Sequence, residues 1–166
     1  MQISTINQLL YKYIADDGTA ASLMYDAPSF SNGQIKTGVN FAIQLTGTGK
    51  WQVTAQMNGR IKKISIIKNE TGGQLTITRY YRRQKYFFKK SQNHRLRFSL
   101  ADGHGEELLT IIPSVNWEKR AYNFVLQLNE EYEKECDSFL ILQAVHCANV
   151  SLSMMTGGPV PALVNI

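Results

Sequence analysis

Apolar and polar residues alternate with a period of two through most of this chain, the pattern of strands with one buried face. VNFAIQLT (39–46) and WQVTAQM (51–57) show it plainly. Between WQVTAQM and RIKKISIIK (60–68) lies Asn58-Gly59, a pair that tolerates the positive φ of a tight hairpin turn. Similar runs cover 8–15, 19–25, 74–81, 85–90, 95–100 and 108–112. Turn chemistry separates them, at Asp16-Asp17-Gly18, at 69–73 and at Asp102-Gly103-His104-Gly105. The stretch 26–38, DAPSFSNGQIKTG, reads as a polar loop. Residues 117–128 read as one bent strand or two short ones, ending in the alternating YNFVLQL.

The texture changes after Leu128. Residues 129–135 are acidic, Asp137 and Ser138 are good helix-capping residues, and the apolar run FLILQAVHCANVSLSMM (139–155) follows. Thr156-Gly157-Gly158-Pro159 stops it. The run is short for a membrane span and carries Gln143, His146 and Asn149, so a core helix explains it better. It is apolar nearly all round and therefore needs protein on every side. Ten or so strands with one such helix predict a closed sheet wrapped around it, since a flat sheet covers a single face. The expected organisation is one domain over 1–166, with a barrel over about 8–128, a core helix over about 137–155 and a tail over 156–166.

Charge changes the picture at one place. The chain is 43% apolar and 19% charged, as folded proteins are. Its 18 Lys/Arg outnumber 13 Asp/Glu, yet eight of the 18 lie in RYYRRQKYFFKKSQNHRLR (79–97), which has no acidic residue. Elsewhere the acidic residues are in excess, so a concentrated cationic segment sits on a slightly acidic body. Such a segment predicts an anionic partner. Leu75 with Ile77, and Tyr86 with Phe88, read as inward faces of two paired strands. Arg82-Arg83-Gln84 reads as the turn between them. The candidate anion- or lipid-binding residues are Arg79, Arg82, Arg83, Lys85, Lys89, Lys90, Arg95 and Arg97, most of them expected around one hairpin tip among Tyr80, Tyr81 and Phe87. A solvated charged hairpin is the plainer reading of the same residues.

Catalytic and metal chemistry finds little support. His94, His104 and His146 lack the nucleophile and orienting acid of a hydrolytic triad, and no serine has the context of a nucleophile elbow. The 102–106 loop lacks the ligand count of a calcium site, and TGTGKW (46–51) lacks the pattern of a phosphate-binding loop. Cys136 and Cys147, if carried on one helix, stand about 16 Å apart along its axis and do not pair. No cofactor or metal and no enzymatic role is expected. The N-terminal residues lack the basic and apolar regions of a secretory signal, which predicts a cytoplasmic protein, with peripheral attachment at the membrane surface as the further expectation. Asn69-Glu70-Thr71 then reads as a turn.

The late strand YNFVLQL, the acidic linker and the closing apolar run, preceded by DGHGEELLTI and IPSVNW, resemble the tubby-like superfamily, which includes tubby C-terminal domains, phospholipid scramblases and LURP-one-related proteins. The resemblance implies a mainly β fold, a closed antiparallel barrel of about twelve strands around a buried C-terminal helix, and recognition of phosphoinositide or other anionic headgroups. The scramblase cysteine-rich run and an acidic calcium loop are missing, so lipid translocation and calcium dependence are not carried over. Three partner readings stand: anionic membrane lipid, a protein partner or purely structural role, and single-stranded nucleic acid. Against nucleic acid, one hairpin tip is compact where a basic groove is needed.

Overall fold

The computed structural model describes residues 1–15, 17–92 and 95–157. Asp16 of the first turn, His94 of the basic segment, and Gly158-Pro159 with the rest of the tail lie outside the described residues. Twelve strands follow one another in a single antiparallel meander. They are β1 (Gln2–Asn7), β2 (Leu10–Ile14), β3 (Ala20–Tyr25), β4 (Asn32–Lys36), β5 (Asn40–Gly47), β6 (Lys50–Met57), β7 (Arg60–Asn69), β8 (Leu75–Arg79), β9 (Gln84–Lys90), β10 (Phe98–Ala101), β11 (Glu107–Asn116) and β12 (Ala121–Leu128). Each pairs with its neighbours in sequence, and β1 pairs with β12 to close the barrel. Closure gives every strand a partner strand on both sides, which removes the edge strands of an open sheet. A 3₁₀ turn (Glu130–Tyr132) leads to the helix α1 (Ser138–Thr156).

The helix fills the barrel. From Phe139 to Leu152 every residue of α1 is buried, as its all-round apolar sequence requires. By length and composition α1 could cross a bilayer, but in the folded chain most of it is enclosed by the strands. Its start is set by Asp137, whose carboxylate accepts the Leu140 N–H at 2.8 Å. Its end is set by Gly157, at φ 72°, whose N–H reaches the Ser153 carbonyl. The polar residues of α1 find partners on the wall. Gln143 accepts from Ser65. His146 Nδ1 lies 3.0 Å from the Tyr25 hydroxyl, to which the Asn149 amide donates at 3.4 Å. With the stacked Phe41 and Phe139 rings, 4.0 Å between centroids, these contacts define both the rotation and the depth of the helix.

Four local expectations are corrected. The barrel begins at Gln2 rather than near residue 8, because β1 buries only Ile3 and Thr5 and gives a weak pattern. β4 lies inside the stretch read as a polar loop; Ile35 and Gly33 are its inward residues. Gly33 is required there, since a Cβ would meet the Met24 carbonyl at 2.5 Å. Trp117 belongs to the 117–120 turn rather than to a strand, with the Arg120 N–H bonded to its carbonyl. Cys136 precedes the helix, so the two cysteines do not share it; both are buried and free. Pro113 sits inside β11 without breaking the sheet. β10 ends its pairing at Phe98↔Ile111, so beyond Ile111 one side of β11 is unpaired and needs no N–H there.

Candidate functional site

The β8–β9 hairpin carries the start of the basic segment. Its register pairs Leu75 with Phe88, Ile77 with Tyr86 and Arg79 with Gln84. The four apolar residues expected to face inward are buried. The turn comprises residues 80–83, and Gln84 opens β9 instead of closing the turn. In this register Arg79 shares the inward face. Its guanidinium lies 2.9 Å from Asp137 and 5.4 Å from the centre of the Phe139 ring, with 12% of the side chain exposed. Arg79 is therefore a strut between the wall and the helix start, and it is withdrawn from the ligand-binding set.

The other cations do not gather at one tip. β9 spans the barrel wall, so Lys85 and Lys89 are about 13 Å apart at the rise of a strand. Arg82, Arg83 and Lys85 stand at the mouth where α1 starts. Lys89, Lys90, Arg95 and Arg97 stand toward the mouth where α1 ends. Arg95 and Arg97 belong to the β9–β10 connection, in which Arg97 bonds Ser91 through Nε.

The two mouths differ in charge. At the helix-start mouth the cationic turn meets the chain's main acidic region. The β10–β11 turn with the first residue of β11, and the linker 129–137, hold eight of the 13 acidic residues. Arg83 and Lys85 share a concavity of about 290 Å³ with Asp102, His104 and Glu135. At the helix-exit mouth the balance reverses. In an up-and-down barrel every second hairpin turn lies at the same mouth. Lys50 and Lys68 flank the β5–β6 and β7–β8 turns there, the four cations above surround the β9–β10 turn, and Lys119 with Arg120 lie in the β11–β12 turn. Opposing these eight are Asp26, Glu70 and Glu118, and Glu118 is 3.4 Å from its neighbour Lys119. The excess of Lys/Arg over Asp/Glu in the whole chain is thus found on one rim.

Apolar side chains share that rim. Trp117 is 64% exposed at the β11–β12 turn, and Met154 and Met155 are about half exposed where the helix leaves the barrel. Lys90 and both methionines line a shallow apolar concavity of about 290 Å³ with Phe98 and Gly72. Lys50, Lys68, Trp117, Lys119 and Arg120 are scattered in sequence and were not among the expected site residues. The signal that finds them is alternation of the turns: charge summed over every second turn instead of along a window. A further concavity, of about 470 Å³, lies elsewhere on the outer wall of β4–β6, among Gln34, Gln44, Gln52 and Gln56.

Burial favours the uncharged forms of the thiols, the imidazole and two tyrosines inside the barrel. Burial pushes the Cys136 thiol up to about 12 and raises Cys147 further. Burial pushes His146 down to about 3, and raises the Tyr11 and Tyr25 hydroxyls. Among the described residues no three His, Cys, Asp or Glu side chains come together as a metal site. Compared with family models, with curated proteins and with solved structures, the chain finds no match.

Proposed function

We propose that this chain is a binding module that docks reversibly on anionic phospholipid surfaces through the helix-exit mouth of its barrel. The observation that carries this reading is the charge asymmetry: eight Lys/Arg on one rim, which also carries an exposed tryptophan and two half-exposed methionines. A Lys or Arg near an anionic leaflet contributes about 1 kcal/mol, so a rim that brings four to six into range attaches with about 4–6 kcal/mol. Trp117 suits the headgroup layer, where its ring meets acyl chain and its N–H meets water. The barrel around a helix is also the layout that the tubby-like resemblance implies, which favours headgroup recognition by a peripheral cytoplasmic protein.

Cosedimentation with phosphatidylcholine vesicles containing graded phosphatidylserine tests the proposal. Binding is expected to rise with the anionic fraction and to weaken as salt is added. The double substitution Lys89→Ala/Arg95→Ala is expected to weaken binding by about 2 kcal/mol, or about 30-fold. Arg82→Ala/Lys85→Ala, at the other mouth, is expected to change it little. Equal binding to neutral and anionic vesicles overturns the proposal. A gel shift with single-stranded nucleic acid that survives at salt where vesicle binding is lost favours the polymer instead.

A further inference from the structure

We infer that the concavity at the helix-start mouth binds a small soluble zwitterion, a phosphate monoester that also carries a primary amine. Its volume of about 290 Å³ lies near the lower end of small-ligand sites. Arg83, Lys85 and His104 bring donors suited to a phosphate, and Asp102 and Glu135 bring carboxylates suited to an ammonium. These opposite charges are not joined in ion pairs with one another. Among the described residues the ion pairs are Arg79–Asp137 and Lys119–Glu118, neither within this pocket. A bare phosphate entering here meets two carboxylates, and a bare amine meets an arginine and a lysine. A molecule with both groups satisfies both sides.

The walls are held in place before any ligand arrives. One Asp102 oxygen accepts from the His104 and Glu106 N–H groups at 2.8 and 3.0 Å, which closes the turn and leaves the other oxygen without a hydrogen bond among the described residues. The Gln84 side-chain carbonyl accepts from the Tyr86 hydroxyl at 2.8 Å, and the NH₂ of this pocket-lining amide has no acceptor among the described residues. Lys85 Nζ lies 5.3 Å from the centre of the Phe87 ring.

Arg83 also departs from ordinary backbone geometry. It closes the 80–83 turn at φ 50°, in the left-handed region where glycine costs least and a branched or bulky side chain is strained. Arg120 closes the 117–120 turn at the same φ, so what sets Arg83 apart is its place on the wall of a pocket whose charges form no ion pair among the described residues. The site faces away from the helix-exit rim, so a chain docked through that rim presents it to solution, and the inference stands or falls separately from membrane docking.

Isothermal titration of the full chain with O-phosphoethanolamine, inorganic phosphate and ethanolamine tests it. O-Phosphoethanolamine is expected to bind at least about tenfold more tightly than either fragment. Arg83→Gly is expected to raise the unfolding midpoint by a few degrees while weakening O-phosphoethanolamine binding at least about tenfold, a combination that a merely structural arginine does not produce. Glu135→Gln is expected to shift preference toward inorganic phosphate. Equal affinity for phosphate and O-phosphoethanolamine, absence of binding at millimolar concentration, or unchanged affinity in Arg83→Gly overturns the inference. Competition by phosphatidylethanolamine vesicles as effective as the free molecule overturns its assignment to a soluble ligand.

Discussion

Between pH 7 and pH 4 the folded chain is expected to lose about 3 kcal/mol of stability through one side chain, His146. The ring is buried inside the barrel, its Nδ1 3.0 Å from the Tyr25 hydroxyl and its centre 5.3 Å from that of Trp51. We assign Nδ1 as the acceptor. Tyr25 then donates to the histidine while its oxygen receives the Asn149 amide, so one hydroxyl serves both contacts. Nε2 has no partner among the described residues, and a proton added to the ring places a charge in that setting. Burial alone pushes the group from its ordinary 6.5 down to about 3.

The sign follows from linkage. As pH falls below 6.5 the unfolded chain takes up a proton that the folded chain refuses until about pH 3. Over that window stability falls by about 1.4 kcal/mol per pH unit. Urea unfolding at pH 7 and pH 4 measures the loss. His146→Asn keeps an acceptor for Tyr25 but cannot titrate. The variant is expected to be less stable at pH 7, where the ring's packing is lost, and to show an acid loss about 3 kcal/mol smaller than the parent. Contributions from the carboxylates are common to both chains and cancel in that difference. Parallel pH dependences in the two proteins would show that His146 is not held neutral in the barrel.

Asp137→Ala is expected to cost about 3 kcal/mol, because this carboxylate has two tasks. One oxygen caps α1 at the Leu140 N–H, and its loss costs about 1 kcal/mol. The other holds Arg79, whose guanidinium is mostly buried, and an orphaned buried charge costs more than a lost surface pair. Asp137 itself is 40% exposed, which screens the pair and reduces the full penalty of a buried one. Asp137→Asn retains the cap and isolates the charge contribution, expected at about 2 kcal/mol. Arg79→Met with Asp137→Asn removes both charges and is expected to recover most of that loss. Denaturant unfolding measures the series. If Asp137→Ala and Asp137→Asn cost the same, the cap contributes nothing. Vesicle binding is expected to be unchanged in the double variant, since Arg79 faces the helix and not the solvent.

How much of this was legible follows from the range of each interaction. Leu75, Ile77, Tyr86 and Phe88 were read as inward residues from period-two alternation, and they are buried. Asn58-Gly59 makes the turn its residues predict, with both at positive φ, and Asp137 is the cap that its place before an apolar run suggests. The run's apolar surface on every side called for a closed sheet, and the sheet is closed. β1 and β4 were missed because each offers few inward apolar residues; β1 is held by pairing such as Ile3↔Phe124, from the far end of the chain. Arg79 was misread for a related reason. Its partner is 58 residues away, and nothing near it in sequence marks it as different from Arg82.

The chain's local pattern therefore determined the strands with strong alternation, the helix and its caps, and the need for a barrel. These depend on neighbours one to four residues apart and on the burial of apolar surface. Which charges act together was decided only by the tertiary structure. Electrostatic fields add through space, and the barrel separates charges adjacent along β9 while bringing four cation-bearing hairpin turns to one rim. Residues 79–97 thus resolve into a strut at Arg79, a turn beside acidic neighbours, and part of a cationic rim completed by residues from the rest of the chain.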